Sequence, residues 1–175
     1  PNDQVDEGTI KDQTYTSEEI GWRIVIPQNW RIIQREKTEE IQSKGQKAIA
    51  ESTGQEFDTS ESRHLVGFQK DQFNFFQSTS EPFEEEYEGA WEENNLALRD
   101  VLIQTCRDQG IKVEASEIET EDIGGLEFHK CSFRILSPDG DLIMNQIMYS
   151  RLINGFDFGV NINYNNEELG REMLE

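Results

Sequence analysis

The stretch Phe156-Asp157-Phe158-Gly159-Val160-Asn161-Ile162-Asn163-Tyr164-Asn165 has a large apolar residue at every second position, with Asp, Gly or Asn between them. A β-strand sends successive side chains to opposite faces, so Phe156, Phe158, Val160, Ile162 and Tyr164 share one side. Asn154-Gly155 stands directly before this strand. Asn-Gly is the strongest short hairpin signal, because both central residues of a type I′ turn need positive φ. A two-residue loop there sets Ile153 opposite Phe156, Arg151 opposite Phe158, Tyr149 opposite Val160 and Ile147 opposite Ile162. Three of these pairs join apolar or aromatic side chains, which favours the register. Arg151 is the misfit. It reads as lying near an edge, with its stem on a ring and its head in water.

Other strands follow outward from this pair. Ile20, Trp22, Ile24 and Ile26 alternate up to Pro27, and Trp30, Ile32 and Ile33 begin a second short strand. His64, Val66 and Phe68 alternate, as do Phe73, Phe75 and Gln77, with Lys70-Asp71 at the turn between them. Ile111, Val113 and Ala115 start another strand. Residues 117–122 read as an acidic connection or its continuation, and Gly124-Gly125 marks a turn. His129, Cys131, Phe133 and Ile135 alternate before the turn Ser137-Pro138-Asp139-Gly140.

Three helices are expected. Thr38 caps the first, with Glu39 and Glu40 in its opening turn and a thin stripe of Ile41, Ala48 and Ile49. A loop is read over 54–62. The second helix spans 83–109, with Tyr87, Trp91, Leu98, Val101, Leu102, Thr105 and Cys106 as its stripe and Gly110 as its cap. Asn166 caps the last, along which Leu169, Met173 and Leu174 share a side. Strands joined by short turns make a largely antiparallel sheet. The fold class is therefore α+β, a central sheet flanked by helices as an α/β/α sandwich.

Composition narrows the functional classes. The chain has 175 residues, enough for one domain with a substantial core, and ten Phe and three Trp to fill it. With 36 acidic against 16 basic residues the net charge is −20. Binding nucleic acid requires Lys and Arg to neutralise phosphates, and an anionic membrane surface makes the same demand, so both are excluded as partners. Residues 1–16 are polar and mostly acidic and read as a flexible spacer, with 17–175 as a single domain. The chain starts at Pro1 without Met or a charged apolar leader. The expectation is a processed or trimmed chain from the periplasm or cell surface, a monomer touching the membrane only through a removed N-terminal anchor, such as a lipid.

No catalytic motif is found. His64 and His129 are the only histidines. Cys131 stands two residues after His129 on the same strand face, but one His-x-Cys pair falls short of the four ligands of a closed zinc site. The same two side chains point in parallel, with no orienting third group for a nucleophilic pair. Cys106 and Cys131 read as buried small hydrophobes, and whether they are free or bridged stays open. Neither a metal nor a cofactor is expected. Glu84, Glu85, Glu86, Glu88, Glu92 and Glu93 crowd the front of the second helix, as a solvated face or a cation- or partner-binding patch. Asp157, Asn161, Asn163 and Asn165, with Gln146 and Met148 across the strand pair, form a row able to hydrogen-bond a small polar ligand. The reading preferred for this row is a face that meets water or lies under a covering helix.

The run Gly21-Trp22-Arg23-Ile24-Val25-Ile26-Pro27-Gln28-Asn29-Trp30 resembles the strand, Pro, then Trp opening of the PsbP and Mog1-like superfamily. The order of elements after it is similar too, over residues 20–174. The resemblance implies a central antiparallel sheet between helices. It also implies a non-enzymatic role, as in an extrinsic photosystem subunit, a binder of a nuclear transport GTPase, or envelope lipoproteins of bacteria. The acidic spacer matches the last group best. No functional residue carries over, because the matching positions are structural. The expected function is a non-catalytic extracytoplasmic adaptor docking on a protein partner, with a small-ligand module on the Asn row as the alternative.

Overall fold

A computed structural model describes residues 7–54 and 61–175. Two long strands, β10 (Leu142–Ile153) and β11 (Phe156–Tyr164), form the predicted hairpin. Its register is the one expected, with Ile153 opposite Phe156 and Ile147 opposite Ile162. Asn154 (φ 51°) and Gly155 (φ 82°) both take positive φ, as a type I′ turn demands.

This hairpin lies at the centre of an eight-stranded sheet. The other strands are β4 (Arg31–Ile32), β5 (Arg63–Gln69), β6 (Phe75–Pro82), β7 (Lys112–Ala115), β8 (Glu119–Ile123) and β9 (Leu126–Leu136). The order is β4-β5-β6-β11-β10-β9-β7, with β8 also on the outer edge of β9, and every pairing is antiparallel. Arg151 lies near an edge as expected, because the β9–β10 pairing stops at Ser150 opposite His129 and leaves it without a partner on that side. Its guanidinium sits 5.9 Å from the Phe128 ring centroid and donates to the Glu127 carbonyl. The charge is accommodated because β9 no longer pairs with β10 at that point.

One face of the sheet carries the apolar row. Phe156, Phe158 and Ile162 are buried with Ile147, Tyr149, Phe128, Phe76 and Phe68. A small sheet of β1 (Thr9–Lys11), β2 (Thr14–Ser17) and β3 (Trp22–Val25) covers part of it. Trp22 is the bridge, 4.9 Å from the Phe158 ring and 5.2 Å from Tyr15. The spacer reading of 1–16 is thus corrected over 9–16, while residues 1–6 lie outside the described residues. One apolar side chain suffices for this hairpin: Tyr15 is 1% exposed, with polar neighbours on either side. Its turn, Asp12-Gln13, has φ of 48° and 60° without the glycine that would have marked it.

The third helix, α3 (Glu167–Leu174), closes the rest of that face. Asn166 caps it as expected, its Oδ1 accepting from the Glu168 and Leu169 amides. The Trp30 indole N–H donates to Glu172 Oε2 at 2.8 Å. Gly170 lets the helix approach β11, since a Cβ there would stand 2.8 Å from the Tyr164 ring. Gly170→Ala is expected to destabilise the domain by about 1–2 kcal/mol, the clash outweighing the helix propensity gained. Urea melts check this, and combining it with Tyr164→Ala should remove the penalty.

The opposite face is covered by α1 (Arg35–Thr53) and α2 (Ala90–Asp108). α1 starts earlier than expected, with Gln34 and not Thr38 as its N-cap. Thr38 lies inside the first turn, and its hydroxyl donates to the Gln34 carbonyl. The loop predicted over 54–62 falls largely on residues 55–60, outside the described residues. α2 starts later than expected, at Ala90. Residues 83–89 are irregular, because β6 runs to Pro82 and the Phe83 amide still bonds to the Gly155 carbonyl. The chain must then reverse, and Gly89 does so at φ 93°. The α+β class and the central antiparallel sheet stand as expected, with the small sheet and α3 sharing the second covering layer.

Candidate functional site

The polar row of β11 faces α2. Residues 91, 95 and 99 lie one helical turn apart, and each tethers the helix to the sheet. The Trp91 indole N–H donates to Asp157 Oδ1 at 3.0 Å, and its ring lies 4.6 Å from that of His129. The Ser150 hydroxyl donates to Asn95 Oδ1 at 2.8 Å. Arg99 Nε donates to the Ser116 carbonyl at 2.8 Å. Sequence reasoning had Trp91 in an apolar stripe and missed Asn95 and Arg99. The signal was a break in that stripe, where positions 95 and 99, at i+4 and i+8 from Trp91, carry Asn and Arg.

Sequence reasoning missed Glu81 as well. It stands directly opposite Asp157 across the β6–β11 ladder. Burial raises the Glu81 carboxyl above its usual range, and the charges of Asp157 and Glu61 raise it further. Burial raises Asp157 too, while the Trp91 hydrogen bond and nearby His129 pull it partly back. Two carboxyls side by side in a desolvated setting resist double ionisation.

The polar row does not form an open site. Asn161 is opposite Met148 and Asn163 opposite Gln146, as predicted. Asn163 is only 3% exposed. Asn165 leaves the row, its Oδ1 accepting from Asn74 Nδ2 at 3.0 Å. Asn95, Leu98, Arg99, His129, Cys131 and Met148 line a cavity of about 20 Å³ between α2 and the sheet. That volume admits about one water molecule and no sugar or peptide. α2 lies over Asp157 and Asn163 is buried, so the row offers a small ligand no open face there.

The histidines are not brought together. His64 and His129 occupy the same transverse row, but β6, β11 and β10 intervene. Four strand spacings separate them by about 19 Å. His129 and Cys131 do share a face, and both line the small cavity. Among the described residues no group of three His, Cys, Asp or Glu side chains is placed to hold a metal ion. Both cysteines are free thiols. Burial raises the pKa of each, and for Cys131 a contact with the Ser116 carbonyl and nearby Arg99 oppose the rise. Such thiols are poor nucleophiles.

The acidic run divides in two. Glu84, Glu85, Glu86 and Glu88 are exposed on the irregular segment, and Glu92 and Glu93 occupy the first turn of α2. Tyr87 between them is 54% exposed, its hydroxyl donating to Glu93 Oε2 at 2.8 Å. A larger, open groove of about 470 Å³ runs between β4 and α1, lined by Arg31, Ile32, Gln34, Lys37, Glu40 and Gln69. No described helix is long and apolar enough to cross a membrane.

No family model and no curated protein matches the sequence. Among solved structures, the chain is similar to cyanobacterial PsbP (CyanoP) from Synechocystis sp. PCC 6803, determined in solution. The two superpose with a TM-score of 0.58 at 10% identity, over 95% of this chain and 91% of that one. At so low an identity the likeness concerns the backbone alone. With its order of strands, its roofing helices and this superposition, the chain has a PsbP-like α+β fold.

Proposed function

We propose that the domain is a non-catalytic, extracytoplasmic adaptor that acts as a monomer and docks on a protein partner through its acidic surface. The observation that carries this reading is the roofed sheet face. Helix tethers occupy Asp157 and Ser150 on that face, and the space left between α2 and the sheet holds about one water. Recognition then falls to the outer surface. The PsbP-like fold supports the non-enzymatic reading, since the roles implied by the superfamily resemblance are non-enzymatic. A net charge of −20 suits a basic face on the partner and a fast, salt-sensitive encounter. The segment bearing Glu84, Glu85, Glu86 and Glu88 is the natural contact, because exposed Tyr87 adds an aromatic anchor among the charges.

The test is photocrosslinking in the native envelope, with the reactive residue placed at Glu88 or, as a control, at Gln109. One dominant adduct from Glu88 that weakens with salt is the expected result. Changing Glu84, Glu85 and Glu86 to Gln should weaken it by roughly tenfold, at about 0.5 kcal/mol for each exposed charge. Equal labelling from Gln109, or adducts with abundant bystanders alone, would count against the reading.

A further inference from the structure

We propose that Glu81 and Asp157, beneath the first turn of α2, form a proton-operated seat for that helix. With one proton on the pair, the start of α2 and the segment leading into it are held on the sheet. With none, they loosen. The inference does not depend on what the domain docks on.

Geometry comes first. Glu81 and Asp157 are direct cross-strand neighbours, a position that puts Cβ atoms about 5 Å apart. They face the underside of α2, where Trp91 spans the gap by its bond to Asp157. Other titratable groups toward the pair are Glu61 ahead of β5, His64 on β5 and His129 on β9. Glu92 and Glu93 of the helix are exposed to solvent. Glu81 ends β6, Trp91 opens α2, and between them runs the irregular acidic segment. Gly89 at φ 93°, with open space where a Cβ would be, gives that segment a hinge.

The sign follows from linkage. Both carboxyls are raised in the folded chain, so the folded state holds the shared proton more tightly than the unfolded state does. Stability from this pair increases as pH falls through the raised value, and levels off below the usual carboxylate range near about 4. Above the raised value two like charges face each other under the helix. The general acidity of the chain also favours the folded state at lower pH, so only a comparison of variants isolates the pair.

The experiment follows the Trp91 indole N–H resonance by NMR from pH 8 to 4, together with amide exchange over residues 93–97. The protein is compared with Glu81→Gln, Asp157→Asn and His129→Phe. In the unaltered protein the indole resonance should move in one step. The helix-start amides, corrected for intrinsic rate, should exchange about tenfold faster at neutral pH than near pH 5. Glu81→Gln should abolish the step and keep the amides protected at both pH values. It should also melt about 2–4 °C above the unaltered protein at neutral pH and level with it near pH 4. Asp157→Asn keeps an acceptor for Trp91 and should abolish the step too. If it does not fold, Glu81→Gln decides alone, since that change leaves the Trp91 bond untouched. A step that survives in Glu81→Gln, or one lost only in His129→Phe, overturns the proposal.

Discussion

Phe68→Ala should lower stability by about 4 kcal/mol, the largest effect expected of any single truncation in this domain. Phe68 is 0% exposed. On β5 it stands opposite Phe76, ring against ring at 4.6 Å with 3° between planes. Trp30 meets it edge-on at 5.7 Å and 89°. Removing the middle ring strips contacts from both neighbours and leaves a cavity that two rigid aromatics cannot collapse to fill. Trp30 also holds Glu172, so the loss should reach α3. For a chain of this size, the melting temperature should fall by about 8–16 °C. Val25→Ala is the control. Val25 is 62% exposed, and its truncation should cost under about 0.5 kcal/mol. Equal melting of the two variants would show that the aromatic stack is not the centre of the core.

Asn74→Ala is the second large effect, about 3 kcal/mol, and its cause is polar. Asn74 is 2% exposed. Its Nδ2 donates to the Asp71 carboxylate and to Asn165 Oδ1, each at 3.0 Å. Its Oδ1 accepts from the Asn165 and Asn166 amides at 3.1 and 3.2 Å. One side chain thus fastens the β5–β6 turn to the junction between β11 and α3. Alanine would take the positioned partner from two amides and an amide oxygen, and each lost bond costs about 1 kcal/mol. Urea unfolding measures this, and amide exchange should show the loss concentrated at the start of α3. Burial raises the Asp71 carboxyl, but hydrogen bonds from the Phe73 amide and from Asn74 lower it further, below its usual value overall. That contribution is present above the unfolded carboxylate value and fades as pH falls through the depressed one. Asn74→Ala should therefore be less sensitive to acid than the unaltered protein below about pH 4. An unchanged acid limb, with unchanged urea stability, would mean that the network does not hold the junction.

These two sites differ in how far the sequence reveals them. Phe68 belongs to an alternating run that can be read as a strand from consecutive residues. Asn74 sits in a polar turn and resembles any other turn residue, because its partners are 91 and 92 positions away. The same contrast holds elsewhere. The β10–β11 hairpin was legible to the residue, since its turn and its alternation are both local. The β1–β2 hairpin was not, because its turn has no glycine and Tyr15 is its one buried apolar side chain. The start of α2 was misplaced because Tyr87 continues the apolar spacing of the helix, although the chain there is still completing its bond to Gly155.

The candidate site shows the limit most clearly. Alternation alone put Asp157, Asn161 and Asn163 on one face and Phe158 and Ile162 on the other. It could not tell whether the polar face met water, a ligand or a helix, because each environment tolerates the same residues. The strand order set Glu81 beside Asp157, 76 positions apart in the numbering (157 − 81). The packing of α2 brought Trp91 onto Asp157 across 66 residues. By itself the sequence determined the antiparallel α+β fold, its central hairpin and its acidic surface, since these follow from local periodicity and summed charge. Only the tertiary structure decided that the amide face is closed and that two carboxyls share a desolvated place. Both depend on which distant strands and helices become neighbours, and the local pattern of side chains does not specify that.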